Sequence, residues 1–294
     1  MGVLKTLRFI HEHPLNRGRS VAAFGRFLRW QLATRLLPYP IALPFVDEFE
    51  LLAVRGMTGA TGNYYCGLEE LKDMAFVVHF LRRDDVFYDI GANVGAYSLL
   101  AAAAGVRDVR GFEPSSATMN LYSRNIHLNG LADVVHAYRV ALGETAGEAK
   151  ISLNDGTMNH LLPQAEARIA SESVPVQRLD DVFSGDAPSF LKIDVEGFEP
   201  EVLRGAASTL AHPNLMGMLV EDNGYASRYG DGRFIRDVLT PHGFAQFQYD
   251  PLLRTLSPGE NPLGQSNVLY LRNAAAATER VKQAPRFQLV NGSI

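Results

Sequence analysis

From Val86 onward the chain alternates short apolar runs with stretches of helical spacing. "VFYDIG" opens the series and an alanine-rich helix follows it. "DVRGFEP" then precedes a helix through "ATMNLYSRNIHLNG", in which Met119, Tyr122 and Ile126 share a face and Gly130 supplies the stop. "VVHAYRV" is a third strand. Between residues 147 and 179 the alternation lapses: "GEAKISL" and "SVPVQRL" predict two further strands around a polar loop. It resumes with "SFLKIDV", a helix opened by Pro200, "LMGMLVE", a helix near 232–241, "FAQFQY" and "SNVLYL". Alternating β and α with short apolar strands predicts an α/β fold, a doubly wound parallel sheet covered by helices on both faces.

Upstream the pattern changes. "FELLAVRG" reads as a short strand, "MTGATGNYYCG" as a glycine-rich loop and "LEELKDMAFVVHFL" as a helix. The turn-forming stretches "PLNRGRS" and "LLPYPIALP" bracket a helix and mark off an N-terminal appendage of residues 1–45. Residues 46–275 form the main domain and 276–294 a C-terminal tail. The appendage is basic. Residues 1–36 carry Lys5, Arg8, Arg17, Arg19, Arg26, Arg29 and Arg35 against Glu12 alone, in a chain whose net charge is −4. With Val21, Phe24, Phe27, Leu28 and Leu32 on the same helix, three uses compete: packing on the main domain, peripheral contact with an anionic membrane, or contact with a charged substrate.

Composition bounds the rest. At 294 residues with 47% hydrophobic content the chain is long enough to bury a substantial core. Its single cysteine, Cys66, leaves no internal disulfide and no thiolate metal site, and a cytoplasmic location is expected. The acidic balance outside the appendage speaks against a nucleic-acid partner.

The chemistry sits at the first strand's end. Positions one, three and six of the dinucleotide fingerprint are Gly91, Asn93 and Ala96, so the central glycine that admits a pyrophosphate is missing. No Gly-Lys-Ser/Thr follows, which excludes a P-loop. Glu113 ends the second strand, where a carboxylate accepts hydrogen bonds from a ribose diol, and Asp89 is placed to face a cationic group. A nucleoside with a charged amino-acid tail, S-adenosylmethionine, suits both acids.

The stretches "FYDIGANVGAYS", "GFEPSSATMNLYSRNIHLNG", "VALGETAG", "VQRLDDVF" and "FLKIDVEGFEPEVLRGA" resemble, in order and spacing, the FkbM-type family of S-adenosylmethionine-dependent methyltransferases. The resemblance implies a Rossmann-like class I sheet with a reversed last strand, and O-methylation of hydroxyls on sugars, glycans or natural products. By motif, Asp89, Gly91, Asn93, Gly95, Glu113 and Asp194 would bind the cofactor, with Asp194 near the transferred methyl. For the proton of a hydroxyl acceptor the candidates are Asp194, His160 in the polar loop, and, more weakly, Glu196. Tyr64, Tyr65, Arg228 and Tyr229 are loop residues that would contact the acceptor or pack a cap. Asp194 with Asp222 and Asn223 offers a Mg²⁺-type oxygen set, but the resemblance matches Glu221 alone there and implies no metal. An inactive, methyltransferase-like binding module docked through the basic helix is the rival use of the same fold.

Overall fold

The computed structural model describes residues 2–152, 161–162, 171–182, 187–222, 234–259 and 267–294. Helices Val3–Glu12 (α1) and Ser20–Leu36 (α2) lead into two strands, Ile41–Val46 (β1) and Phe49–Ala53 (β2), and two more helices, Thr58–Cys66 (α3) and Leu71–Phe80 (α4). The expected alternation follows as Val86–Ile90 (β3), Ala96–Ala103 (α5), Asp108–Phe112 (β4), Ser116–Leu128 (α6) and Val135–Tyr138 (β5). Ala141–Leu142 (β6), Gly147–Ser152 (β7), Leu161–Leu162 (β8), Ser171–Gln177 (β9) and the one-turn Leu179–Val182 (α7) come next. Phe190–Ile193 (β10), Glu199–Arg204 (α8), Ala207–Ala211 (α9), Gly217–Glu221 (β11) and Phe234–Leu239 (α10) resume the βα pattern. The chain closes with Ala245–Asp250 (β12), Thr255–Pro258 (β13), Asn267–Leu271 (β14), Ala274–Gln283 (α11), Gln288–Leu289 (β15) and Gly292–Ser293 (β16).

The central sheet has the order β13-β12-β14-β11-β10-β3-β4-β5. Strands β5, β4, β3, β10 and β11 run parallel, and β14 is inserted antiparallel between β11 and β12. This is the class I methyltransferase arrangement with its reversed strand. Successive residues alternate between two cores. Phe87 and Phe190 pack with α4, α5 and α6 on one face, while Tyr88 and Leu191 pack with α8, α9 and α10 on the other. Burial on both faces explains why these strands are almost uniformly apolar. The strand order reverses at β3 and β10, and the crevice above their C-terminal ends is the place where open α/β sheets take ligands.

Four features correct or complete the sequence-based expectations. "MTGATGNYYCG" is not a loop but helix α3, in which Tyr64 and Tyr65 are buried. The packing of Ala60, Tyr64 and Cys66 into the main core outweighs the weak helix propensity of its glycines. Strands β7 and β9 leave the central sheet and form a separate one, in the order β6-β9-β7-β8. Residues 276–294 are not a loose tail: α11 packs on α4, and β15 pairs with β1 in the sheet β16-β15-β1-β2. The N-terminal stretch packs on the main domain, one of the uses read for it in the sequence, with Ile10, Ala23, Phe27 and Trp30 inside the larger core. Asn291 fastens both ends, its Nδ2 donating to Cys66 O at 2.7 Å and Asn16 Oδ1 at 3.1 Å.

Candidate functional site

The turn after β3 is shaped by close approach. Gly91 has φ +76°, and a Cβ there would lie 1.7 Å from the backbone oxygen of Asp194, so any side chain would push β3 and β10 apart. Gly95, at φ +88°, sits just before the first turn of α5, and a Cβ there would meet the Tyr122 ring at 2.3 Å. Asn93 also takes a left-handed conformation, φ +50°, a state that asparagine tolerates better than most residues.

The turn's N–H groups point inward. Gly91 N and Ala92 N donate to Phe112 O at 3.0 and 2.9 Å, and Asn93 N donates to Glu113 Oε2 at 3.1 Å. Donors spent on the end of β4 are unavailable to a phosphate, which agrees with the missing central glycine. Glu113 also accepts from Ser115 N at 2.8 Å and is 8% exposed. Burial pushes its carboxyl up to about 7, against the opposing pull of these two N–H groups.

Asp89 is fully enclosed. Its Oδ2 accepts from Ser98 Oγ at 2.7 Å, and Ser98 in turn meets Tyr122 Oη at 2.6 Å. Since the serine proton is committed to Asp89, Tyr122 is the donor to Ser98. Asp89 Oδ1 is buried and finds no hydrogen-bond partner among the described residues. Burial raises this carboxyl, while Lys192 and Ser98 act in the other direction.

Lys192 is the residue that pattern reading missed. It stands opposite Asp89 in the β3–β10 register, inside an otherwise apolar strand, and is 3% exposed. Its Nζ lies 2.5 Å from Asp194 Oδ2 and 5.0 Å from the centre of the Tyr97 ring. Burial alone would lower its pKa, but the carboxylates of Asp194, Glu70 and Asp89 more than reverse that, so it stays charged. Tyr97 Oη donates to Glu70 Oε2 at 2.6 Å and closes this part of the wall. The available signal was the lone lysine in "SFLKIDV": a buried strand tolerates a cation only beside an anion.

Beyond Asp194 lies a group of acids. Glu199 accepts from Val195 N at 2.9 Å and Gly197 N at 3.2 Å and so fixes the loop after β10. Glu196, half-buried with φ +55°, is raised to about 7 by burial first and the Asp194 charge second. Glu221, at the end of β11, is raised by burial first and by the neighbouring Asp194 charge second. Oxygens of Asp194, Glu199 and Glu221 come within 4.8 Å of one another, a different set from the Asp194, Asp222 and Asn223 read in the sequence; Asn223 lies outside the described residues.

Asp89, Gly91, Asn93, Glu113, Asp194, Glu196 and Glu221 all line one cleft of about 290 Å³. Gly95 does not line it and shapes the turn from behind. His160, Arg228 and Tyr229 lie outside the described residues, and Tyr64 and Tyr65 face the core. The cleft fits an adenosyl group with a cationic tail. Phe112, Val140, Leu142 and Ile151 provide an apolar wall, Glu113 keeps lone pairs for a diol, and the orphaned oxygen of Asp89 suits a cation.

Methyltransferase 1 of Beauveria bassiana is 27% identical to this chain over 187 residues, 55% of this chain and 73% of the relative. The hexuronic acid methyltransferase AglP of Haloferax volcanii is 25% identical over 135 residues, 45% of this chain and 54% of the relative, so the match spans about half of that protein. The crystal structure of methyltransferase FkbM from Methylobacillus flagellatus superposes with a TM-score of 0.44 at 17% identity, covering 65% of this chain and 44% of that one. The methyltransferase FkbM domain model matches residues 89–245, more than half of the chain, and the protein therefore belongs to that family of methyltransferases, whose methyl donor is S-adenosylmethionine.

Proposed function

We propose that the protein methylates a hydroxyl group on a sugar, a glycan or a glycosylated natural product. The observation that carries this reading is the wall of carboxylates at the ends of β10 and β11. Asp194, Glu196 and Glu221 together supply hydrogen-bond acceptors and a proton acceptor beside the cofactor cleft. A neutral hydroxyl acceptor needs both, because its proton must leave as the new O–C bond forms. The relative described as a hexuronic acid methyltransferase supports a sugar acceptor.

When bound, S-adenosylmethionine supplies an activated methyl group, and the chain's own residues position and deprotonate the acceptor. Asp89 would hold the cationic tail and Glu113 the ribose hydroxyls. Asp194, its carboxylate fixed by Lys192, orients the acceptor oxygen. Glu196 takes the hydroxyl proton. Its raised value of about 7 leaves it ionised in part at neutral pH and basic enough to accept. Glu221, raised by burial and by the Asp194 charge, is held back as a partner of Asp194 at the rim of the cleft.

The test is a screen of uronic acids, neutral sugars and glycosides with labelled methyl donor, reading the product by mass spectrometry and NMR. Asp194→Asn, Glu196→Gln and His160→Ala are compared at saturating cofactor. Loss of turnover by about a hundredfold or more in Glu196→Gln supports the assignment. Methyl transfer to nitrogen or carbon only, or full activity in Glu196→Gln, overturns it.

A further inference from the structure

The expected amphipathic character of α2 divides differently once the helix is folded. Ala23, Phe27 and Trp30 face the core, and Phe27 packs edge-on against Tyr65 of α3 at 5.5 Å. The opposite face is apolar too. Val21 is 88% exposed, Leu28 60%, Leu32 62% and Leu36 78%. At the helical angle per residue these four fall within an arc of about 80°. Leu37 and Tyr39 continue the exposed apolar surface beyond the helix, and Val3 and Leu4 of α1 are exposed as well. A helix apolar on both faces is ordinarily buried on both. A continuous outward stripe of this length marks a contact surface.

The charge around the stripe identifies what covers it. Exposed Arg29 and Arg35 flank it on α2, and Arg17 and Lys5 lie nearby in the chain. From residue 13 to residue 46 the sequence contains no acid. A second copy meeting this face through a two-fold axis would bring the same arginines together and be repelled. A membrane-spanning role fails as well: no helix among the described residues is long and apolar enough to cross a bilayer. An apolar stripe between cations is the design of an interfacial helix, with leucines among acyl chains, arginines at anionic headgroups and Tyr39 at the boundary.

We propose that the outer face of α2, with Val21, Leu28, Leu32 and Leu36 flanked by Arg29 and Arg35, docks the protein on an anionic lipid surface. The face is one helix away from the cleft, because α2 packs on α3 and Gly59 and Ala60 of α3 line that cleft. Docking would hold the acceptor site close to the membrane. The proposal does not depend on which acceptor is methylated.

The experiment is flotation of the full-length protein with vesicles of phosphatidylcholine alone or with phosphatidylglycerol added, at low and high salt. Leu28→Ser/Leu32→Ser and Arg29→Gln/Arg35→Gln are run alongside, with S-adenosylhomocysteine binding as the folding control. Light scattering reports the oligomeric state. Wild type should float with the anionic vesicles and release in high salt. At about fivefold per arginine, the arginine pair should weaken partitioning about 25-fold. Equal partitioning on neutral and anionic vesicles, or none on either, overturns the proposal. So does a wild-type dimer that the serine pair converts to a monomer, which would assign the face to a second copy.

Discussion

Lys192 Nζ and Asp194 Oδ2 lie 2.5 Å apart, two residues from each other on one strand end, with the lysine side chain 4% and the aspartate 25% exposed. The pair links the core of the sheet to the mouth of the cleft. Three carboxylates, Asp194, Glu70 and Asp89, depend on this one cation for charge balance. Removing it leaves them facing one another with little water to screen them. Lys192→Met is therefore expected to lose about 3–5 kcal/mol of unfolding free energy, measured by urea denaturation. A loss under about 1 kcal/mol would mean that the acids take up protons and no longer need the lysine.

Glu113 predicts a pH dependence for cofactor binding. Its carboxyl, ordinarily near 4.5, is raised to about 7. The proton is therefore held below about pH 7 and released above it. The ionised form is the better acceptor for a diol, so affinity for S-adenosylhomocysteine should rise between about pH 6 and pH 8 and then level off. The same raised value makes this group's contribution to the stability of the cofactor-free protein fall as pH rises from its ordinary value towards 7. Calorimetric titration across the range checks the first expectation. Glu113→Gln should abolish the rise, and an unchanged slope in that variant would assign it to another group.

Much of this site could be read in the sequence because its signals are local. Asp89, Gly91, Asn93 and Glu113 are recognised by a strand end, a turn and the next strand end, each set by a few neighbouring residues. The reversed strand β14 came through the family resemblance, not through residue pattern. What escaped is non-local or contrary to propensity. Lys192 gains its meaning from Asp89 on an adjacent strand. Helix α3 hides behind Gly59 and Gly62, although the bare surface of Gly62 serves to seat the Glu69 carboxylate, 2.3 Å from where a Cβ would stand. The pairing of β15 with β1 joins residues 46 and 289, a separation that no periodicity reports.

Tyr122 supports the cofactor turn from beneath. Its ring fills the space over Gly95 and Gly111, and its hydroxyl donates to Ser98, which donates to Asp89. Tyr122→Phe keeps the packing and removes the last donor of the chain, at about 0.5–1.5 kcal/mol of stability. Gly111→Ala would set a Cβ 2.0 Å from the tyrosine hydroxyl and force the ring to move. Overpacking of that kind costs about 1–3 kcal/mol. The alanine variant should thus be the less stable of the two and bind S-adenosylhomocysteine more weakly, as judged by thermal shift and calorimetry. Binding as tight as wild type in both variants would show that the orientation of Asp89 does not depend on Tyr122.

The ends of the chain are held by polar contacts as well as by β15 and β1. Asn291 is buried, and its amide donates to Cys66 O, Asn16 Oδ1 and Leu15 O. Arg19 reaches its backbone oxygen, and Arg26 reaches Asn16 Oδ1 and Tyr65 O. Asn291→Ala leaves buried acceptors of the N-terminal stretch and of α3 without this donor, at an expected cost of about 1–3 kcal/mol. The effect should be regional. Hydrogen exchange should speed up in α1, α2, α3 and β15, while β3, β4 and β10 keep their protection, because the Asn291 amide bonds to the N-terminal stretch and to α3. Since α3 lines the cleft through Gly59 and Ala60, a modest loss of cofactor affinity should accompany the change. Uniform loss of protection across the central sheet would instead show that the terminal elements and the methyltransferase sheet unfold as one cooperative unit.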